Sequence, residues 1–465
     1  MVRLCKDSYT ILKLYKIDNI GMKSNTITLS LFRLLNERQV NYCVLRHYEE
    51  LPESTNKSDL DIYVAPKDHN AFIQILDDVC RETGAKLVSY KADKMCPQFT
   101  LCTYLSGLQI DMYDGFANHR TCVYIDEDII TANTFVTEKG IRALSPEADG
   151  LMSFLKETLN NKKCKEAYCR KAQMAIAGKD EATINHILKA FSPKVRKLIV
   201  DTLREGSFDK RHIREVGIAA SNDLQSMASR IHYYLGQLGK LKRFGKPLGY
   251  TVAFLGTDGS GKSTIIDAIT PVLSEAFHKG VYYEHMRPNY LPALAVLTGK
   301  RCKNAPMVVC SDPHAGKTSG VLGSLLRISY YWIDYTYGYF RKIYMDKAVK
   351  NHVWIFDRYF YDYINDPQRA CIGLPKWLLK WYGLFVPPPD LVICVGTDPE
   401  KIHRRKPELL IEEVRRQVET LRKFADKSHR AVWVDTGGSI EESVHQSMTA
   451  ILNMMSKRFE NISLR

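Results

Sequence analysis

The chain has 465 residues and carries 66 Lys and Arg against 52 Asp and Glu, a formal net charge of +14. Its 45% hydrophobic and 25% charged residues are typical of a globular protein and exclude a disordered chain. The sequence holds no apolar stretch of 18 residues, which excludes a transmembrane helix, and its length allows two or three domains. The positive charge favours polyanionic partners such as nucleotides or an acidic membrane surface, although a solvated basic surface gives the same excess.

Two further features bear on the compartment. Charges interrupt the N-terminal segment Met1–Asp7 before a signal-peptide core forms, and the twelve cysteines lack the spacing of a metal site. We therefore expect a cytoplasmic protein with reduced thiols.

Helix and strand patterns alternate from Asn25 to about Phe116 and predict an α+β domain over residues 1–120. The expected elements, in chain order, are a helix at Ile27–Leu35, strands at Asn41–Leu45 and Leu60–Val64, a helix at Ala71–Arg81, and two hairpin strands at Gln98–Tyr104 and Leu108–Tyr113. The two hairpin strands are expected to be joined by a turn at Ser106-Gly107.

The pattern from Ser145 onward is mostly helical and predicts a helical domain over residues 121–240. Ser145 followed by Pro146 is typical of a helix start. The expected helices cover Leu151–Leu159, Ala182–Leu203 and Leu224–Leu235. Glycines and basic residues in Gly236–Gly249 predict a linker to a third, α/β domain over residues 241–465.

The most specific motif is a G-x-x-x-x-G-K-S phosphate loop at residues 256–263. It follows an apolar strand pattern, Tyr250–Leu255, and opens into a helical pattern, Thr264–Ile269, which is the context that the motif requires. Lys262 is expected to reach the β- and γ-phosphates of ATP and Ser263 to ligate Mg²⁺. The expected nucleotide-binding residues are Gly256, Asp258, Gly259, Ser260, Gly261, Lys262, Ser263 and Thr264.

Charged residues follow two later strand patterns. Val353–Tyr359 contains Asp357 and Arg358 at its end, where ligands bind in doubly wound folds. Asp357 is expected to hold Mg²⁺ and Arg358 to bind an acceptor phosphate, with an ordinary ion pair at a strand end as the alternative. After the strand Pro389–Val395, the pair Arg404-Arg405 suits a lid over phosphates, or else forms a solvated helix face.

These segments together resemble thymidylate kinases. The matching stretches are Phe254–Thr264, Phe356–Tyr359, Pro389–Val392 and Asp398–Glu400 with the arginine pair after it. The resemblance implies an α/β domain with a five-stranded parallel sheet, ATP and Mg²⁺ as cofactors, and a nucleoside monophosphate or similar phosphorylated acceptor. It implies that Lys262 and Ser263 serve the donor, Asp357 and Arg358 the acceptor phosphate and metal, and Arg404 or Arg405 the lid.

The sequence departs from that family around the acceptor. The family carries Arg-Glu-Pro-Gly where this chain has His285–Asn289, and its lid has a glycine where this chain has Arg404–Glu408. The aromatic segment Ser329–Phe340 either stacks on a base or sugar ring or packs in the core and at a subunit interface. Kinase chemistry is predicted, and the acceptor stays open.

Paired acids mark the N-terminal half. Asp59 and Asp61 point to one face of a strand, and with Asp111 from a neighbouring strand they form a set that suits two Mg²⁺ ions. This pattern resembles the nucleotidyltransferase superfamily, except that Val44–His47 stands where that superfamily has Gly-Ser. Three interpretations stay open: an active nucleotidyltransferase, a degenerate fold that binds without reacting, and an ordinary exposed strand.

The combined hypothesis is a two-activity enzyme with a nucleotidyltransferase-like head, a helical connector and a thymidylate-kinase-like tail. The fusion resembles proteins of bacterial surface-polysaccharide clusters, which implies a phosphorylated sugar or nucleotide-sugar precursor as an acceptor. The alternatives are a nucleoside monophosphate kinase with an inert N-terminal module and a nucleotide-responsive switch. A homodimer and peripheral membrane contact stay open, and nucleic acid is not favoured as a partner.

Overall fold

The computed structural model describes residues 26–460 except 57, 93–95, 115–116, 121, 239–242, 279, 298–313 and 315. The strands of this part, in chain order, are β1 (Tyr42–Val44), β2 (Leu60–Val64), β3 (Lys86–Lys91), β4 (Gln98–Cys102), β5 (Gly107–Asp114), β6 (Ala117–His119), β7 (Cys122–Ile125), β8 (Thr134–Val136), β9 (Arg142–Leu144), β10 (Tyr250–Leu255), β11 (Val281–His285), β12 (Val353–Asp357), β13 (Leu391–Gly396) and β14 (Ala431–Asp435).

Helices connect and cover these strands. The described α-helices are α1 (Thr26–Glu37), α2 (His69–Thr83), α3 (Glu127–Ala132), α4 (Pro146–Asn161), α5 (Glu166–Ile176), α6 (Glu181–Ile187), α7 (Pro193–Glu205), α8 (Lys210–Leu224), α9 (Met227–Leu238), α10 (Lys262–Ala276), α11 (Leu294–Leu297), α12 (Val321–Ile333), α13 (Met345–Lys350), α14 (Tyr361–Asn365), α15 (Lys376–Gly383), α16 (Pro399–Arg405), α17 (Ile411–Lys427) and α18 (Ile440–Ser456). A π-helix, Asp334–Tyr344, joins α12 to α13, and short 3₁₀ turns occur at Pro66–Asp68 and Gln368–Ala370.

The first sheet has mixed strand directions, and its described strands run in the order β3-β4-β5-β2-β1-β9-β8. Strands β2 and β5 are parallel neighbours, and their register places Asp61 beside Asp111. Strand β1 is antiparallel to β2 and parallel to β9, where Val44 pairs with Ala143. Because β8 and β9 complete this sheet, it crosses the expected domain boundary at residue 120.

The helices that follow the first sheet pack into one apolar cluster with its second face. Helix α4 begins as expected, because the Ser145 side chain accepts a hydrogen bond from the Ala148 N–H and Pro146 takes the first helical position. The single helix expected over Ala182–Leu203 is wrong. The chain forms α6 and α7 instead, since Pro193 starts a new helix and cannot continue the previous one.

The second sheet is parallel throughout, and its described strands run in the order β11-β12-β10-β13-β14. This is the parallel five-stranded sheet that the motif resemblance implied. Every residue of the central strands β10, β12 and β13 is buried, which explains why their sequences are largely apolar. The phosphate loop follows β10, and Asp357 ends the adjacent strand β12, so both lie at the carboxyl edge.

The two sheets are joined through a shared core. Val88 of β3 and Cys102 of β4 belong to the apolar cluster of the second sheet. The Tyr250 hydroxyl donates to the Val88 carbonyl at 2.7 Å, and a Cβ on Gly107 would come within 2.4 Å of the Ala276 Cβ. The start of β5 therefore lies directly against the end of α10. Across the described residues, no helix is both long and apolar enough to cross a membrane.

Candidate functional site

The phosphate loop has the backbone that its glycines allow. Gly259 and Gly261 have φ angles of +81° and +94°, a region that other residues adopt only with strain. A Cβ on Gly256 would lie 2.5 Å from both the Ser260 Oγ and the Val395 carbonyl oxygen. The loop therefore curls tightly against β13 and leads directly into the N-terminus of α10, a geometry that suits phosphate binding.

Lys262 lies inside this loop. Its Nζ donates hydrogen bonds to the carbonyl oxygens of Gly256 at 2.8 Å and Thr257 at 2.9 Å. Burial, followed by the nearby positive charge of Arg358, lowers the pKa of Lys262 to about 8. An anion at the loop would relieve this unfavourable environment of the ammonium group.

A cavity of about 510 Å³ opens beside the loop. Its lining combines residues of the phosphate loop and the start of α10 with residues at the end of α16 and around the start of α18: Asp258, Gly259, Gly261, Lys262, Ser263, Thr264, Ile265, Arg405, Lys406, Thr436, Gly438, Ser439, Ile440 and Ser443. The cavity is large enough for a small ligand, and six of the eight expected nucleotide-binding residues line it.

The two expected lid residues have different positions. Arg405 lines the cavity, and its Nη2 donates to the Thr436 carbonyl at 2.9 Å. Arg404, exposed like Arg405, donates weakly from its Nε to the Glu400 carbonyl at 3.4 Å, within α16. Lys406 also lines the cavity, and its Cβ lies 3.0 Å from the position a Cβ on Gly259 would take. Arg405 and Lys406 thus line the cavity beside the phosphate loop, whereas Arg404 is not among its lining residues.

Asp357 is buried at the end of β12. Its Oδ2 accepts a hydrogen bond of 3.1 Å from the Tyr283 hydroxyl. Its other oxygen, Oδ1, is buried and has no hydrogen-bond partner among the residues that the structure describes. An unpaired buried carboxylate oxygen is costly in a folded protein, which favours a ligand at this position.

Arg358 adopts a strained backbone conformation, with φ of +74°. Its main-chain N–H donates to the Phe254 carbonyl at 2.8 Å, which fixes the corner after β12. Its guanidinium group contacts the phosphate loop, with Nη2 donating to Asp258 Oδ1 at 2.5 Å and Nη1 to the Gly256 carbonyl at 3.4 Å. A second carboxylate, Asp362, lies 3.7 Å away.

A second arginine, Arg369, completes this cluster and was not expected from the sequence. It lies in the 3₁₀ turn Gln368–Ala370, and its guanidinium donates to the other oxygen of Asp258. Burial alone would raise the pKa of Asp258, but the charges of Arg358 and Arg369 outweigh burial and hold that pKa well below its usual range. No local pattern marks Arg369, because only the fold brings its turn to the phosphate loop.

Oxygen ligands for Mg²⁺ are present at this edge. Mg²⁺ prefers carboxylate and hydroxyl oxygens together with phosphate oxygens of a nucleotide. The free Oδ1 of Asp357 and the exposed hydroxyl of Ser263, at the start of α10, have this chemistry. The residues therefore fit a magnesium ion that arrives with its nucleotide.

The segment His285–Asn289, which departs from the thymidylate kinase pattern, is held in place by hydrogen bonds of Arg287. Arg287 is buried and donates to Asp334 at 2.8 Å and to the carbonyl oxygens of Leu291 and Pro292. The aromatic segment packs in the core at Tyr335, whose ring contacts Tyr359, Phe360 and Tyr363. Exposed rings at Tyr337 and Phe340 lie on its other face.

The acids of the N-terminal half also come together. One ligand oxygen from each of Asp59, Asp61 and Asp111 lies within 4.8 Å of the others. Cations share this space, because the Arg46 Nε donates to Asp61 Oδ2 and the Lys156 Nζ donates to Asp61 Oδ1 at 2.9 Å. The sequence reasoning missed both cations.

The electrostatic environments of two of these acids differ. Burial would raise the pKa of Asp61, but the charges of Lys156 and Arg46 outweigh burial and lower it to about 2. Burial and the charges of Asp61 and Asp59 raise the pKa of Asp111 to about 6. Asp61 is therefore ionised, whereas the ionised form of Asp111 is disfavoured by burial and by the neighbouring negative charges.

Comparisons with known proteins give a weak likeness only. No protein-family model and no curated protein matches the chain. Among solved structures, a thymidylate kinase from Candida albicans is 19% identical with a TM-score of 0.32, and the match covers 44% of this chain and 92% of that one. A thymidylate kinase from Ehrlichia chaffeensis is 19% identical with a TM-score of 0.30, covering 44% of this chain and 98% of that one.

Proposed function

We propose that the C-terminal half is an ATP-dependent kinase whose acceptor already carries a phosphate, either a nucleoside monophosphate or a phosphorylated sugar. One observation carries this proposal. The phosphate loop and the cluster of Asp357, Arg358, Asp258 and Arg369 lie at one edge of the parallel sheet, in direct contact through the Arg358–Asp258 pair.

The donor side rests on the loop and its cavity. Backbone N–H groups of the loop and the start of α10 would hold the phosphates, and Lys262 would turn from the loop carbonyls toward them. When Mg²⁺ is bound with the nucleotide, it neutralises charge that develops on the phosphoryl group during transfer. Asp357 and Ser263 would hold that ion, and Arg405 would close the cavity from the lid side.

The acceptor side rests on paired arginines. Arg358 and Arg369 both bind Asp258, so two guanidinium groups are kept together and oriented at the sheet edge. Guanidinium groups bind phosphate in a bidentate manner, which suits an acceptor that enters with its phosphate first. A pure nucleotide switch would have no use for this second phosphate-binding group next to the donor loop.

The test is an acceptor screen followed by ³¹P NMR. The full chain with ATP and Mg²⁺ is incubated with separate nucleoside monophosphates and separate sugar phosphates, and the appearance of ADP is measured together with a new acceptor phosphate signal. We expect turnover with one class of acceptor and none in a Lys262→Ala variant. The control is Lys380→Ala, which removes an exposed lysine of α15. ATP binding without phosphorylation of any acceptor would instead favour the switch.

A further inference from the structure

We propose that the carboxylates Asp59, Asp61 and Asp111 are neutralised by the chain's own Arg46 and Lys156 and hold no divalent metal. The N-terminal half would then be a metal-free relative of the nucleotidyltransferases that its paired acids resemble, without their transfer activity. This inference is independent of the kinase proposal, because it rests on a different sheet.

Arg46 occupies the space between two of the acids. It follows β1, and the hydrogen bond from the Leu45 N–H to the Asp61 carbonyl, 2.9 Å long, keeps it beside β2. Its Nε donates to Asp61, and its Nη2 lies 3.5 Å from Asp59 Oδ1. The Arg46 side chain is 8% exposed, so its guanidinium is buried in the protein interior and is not a surface cation.

Lys156 binds the other carboxylate oxygen of Asp61. It projects from α4, and its Nζ lies 2.9 Å from Asp61 Oδ1 and 3.1 Å from the Tyr113 hydroxyl. The same hydroxyl donates to Asp61 at 3.0 Å. Both oxygens of Asp61 therefore already accept hydrogen bonds from the protein.

Asp111 is satisfied in the same way. The side-chain amides of Gln98 and Gln109 donate to its two oxygens at 3.0 Å and 3.1 Å. This differs from Asp357 in the C-terminal half, where one buried oxygen has no partner in the described part of the chain. Both oxygens of Asp61 and of Asp111 thus accept hydrogen bonds from the protein, whereas Asp357 keeps one oxygen available for a ligand.

The charges also leave little attraction for a dication. Two cations face the three carboxylates, so the cluster has a formal charge near −1 before any metal arrives. A metal would need the space that the Arg46 guanidinium fills, and Mg²⁺ gives up its water reluctantly. Expelling Arg46 would break a buried ion pair, which is expensive. The guanidinium therefore replaces a divalent ion in holding the acids together.

The experiment measures Mn²⁺ binding to the full chain without nucleotide, by electron paramagnetic resonance of free Mn²⁺. Any Mn²⁺ bound at the C-terminal half is common to all variants. We expect Asp59→Asn to bind the same number of ions as the parent protein. We expect Arg46→Ser, which empties the space, to bind one more ion, and Arg46→Ser/Asp61→Asn to lose that ion again.

The matched control is Arg33→Ser, which removes an exposed arginine that also contacts two carboxylates, Glu37 and Glu82. It should leave the number of bound ions unchanged. The loss of one ion in Asp59→Asn would overturn the proposal, and this variant decides the question even if Arg46→Ser fails to fold. A folded Arg46→Ser protein that gains no ion would also overturn it, because Arg46 would then not be what excludes the metal.

Discussion

Arg358 donates a 2.5 Å hydrogen bond to Asp258, which ties the corner after β12 to the phosphate loop after β10. The two residues follow neighbouring parallel strands, and both side chains are largely withdrawn from solvent. A ligand that binds Arg358 would therefore act on the phosphate loop through Asp258. If the proposed acceptor phosphate binds Arg358, this contact would link the acceptor to the nucleotide site.

The first prediction is that Arg358→Lys weakens the acceptor far more than ATP. Lysine keeps the charge, but it has no planar group that spans Asp258 and a phosphate at the same time. We expect the acceptor KM to rise about tenfold or more, which corresponds to roughly 1.4 kcal/mol, and the ATP KM to change about twofold at most. Steady-state kinetics with each substrate varied in turn measures this. An unchanged acceptor KM would mean that Arg358 only holds the loop.

The second prediction concerns Arg369, which holds Asp258 from the other side. In Arg369→Ala, Asp258 loses one of its two cationic partners, so its pKa should rise and the acceptor KM should increase. The pH profile of kcat/KM should then fall at a higher pH on the acidic side than in the parent protein. Arg341→Ala, an exposed arginine of the π-helix, is the control. Parallel pH profiles for parent and Arg369→Ala would contradict a role through Asp258.

The third prediction is that nucleotide binding takes up a proton at alkaline pH. The pKa of Lys262 is about 8 in the empty loop, so most of the lysine is neutral at pH 9. Bound phosphates favour the ammonium form and raise this pKa again. Calorimetric titration with ATP in buffers of different ionisation enthalpy should show uptake approaching one proton at pH 9 and little at pH 6.5.

Lys262→Arg is the matched control for this titration, because arginine carries its charge at every pH used. Any ATP binding that remains in this variant should proceed without the proton uptake. Equal uptake by the parent and the variant would place the titrating group elsewhere.

Part of this architecture could be predicted from the sequence because it is encoded locally. The phosphate loop needs its glycines at fixed spacing, and β10, β12 and β13 are continuous apolar runs because both of their faces are buried. Strand β3 was missed, since Lys86 and Lys91 bound it and its buried Val88 packs against the other half of the protein. A single-sequence pattern contains no sign of that partner.

The candidate sites divide in the same way. Asp59 and Asp61 were found because their spacing places them on one face of a strand. Lys156 lies 95 residues from Asp61 in sequence, and Arg369 lies 111 residues from Asp258. A cation that contacts a carboxylate from another element has no fixed spacing from it in the sequence. The partners that determine whether these acids can bind a ligand are therefore identified only from the fold.

The fourth prediction is that Asp61→Asn destabilises the protein. The change leaves the Arg46 guanidinium and the Lys156 ammonium without their main counter-ion in a buried site, for which losses of roughly 3–5 kcal/mol are typical. Urea unfolding at pH 7.5 measures the difference. Because the pKa of Asp61 is about 2 when folded and about 4 when unfolded, its contribution is full above pH 4 and is lost as the pH falls toward 2. A variant as stable as the parent would show that this ion-pair cluster contributes nothing.

The fifth prediction has the opposite sign and concerns Asp111. Its pKa is raised to about 6 by burial and by the charges of Asp61 and Asp59, so ionisation of Asp111 costs stability. This cost is absent below about pH 4, where the group is protonated in both states, and reaches its full size above pH 6. Asp111→Asn should therefore gain stability relative to the parent as the pH rises from 4.5 to 7.5, by roughly 2–3 kcal/mol at most. Gln98 and Gln109 can rotate their amides to accept from the new asparagine, so the hydrogen bonds need not be lost.

The control for this prediction is Asp77→Asn on α2, because Asp77 is an exposed acid and the effect of its substitution on stability should not vary between pH 4.5 and 7.5. Urea unfolding of the three proteins at several pH values tests the sign, and a difference between Asp111→Asn and parent that is independent of pH would show that Asp111 is not held in an unfavourable charged state.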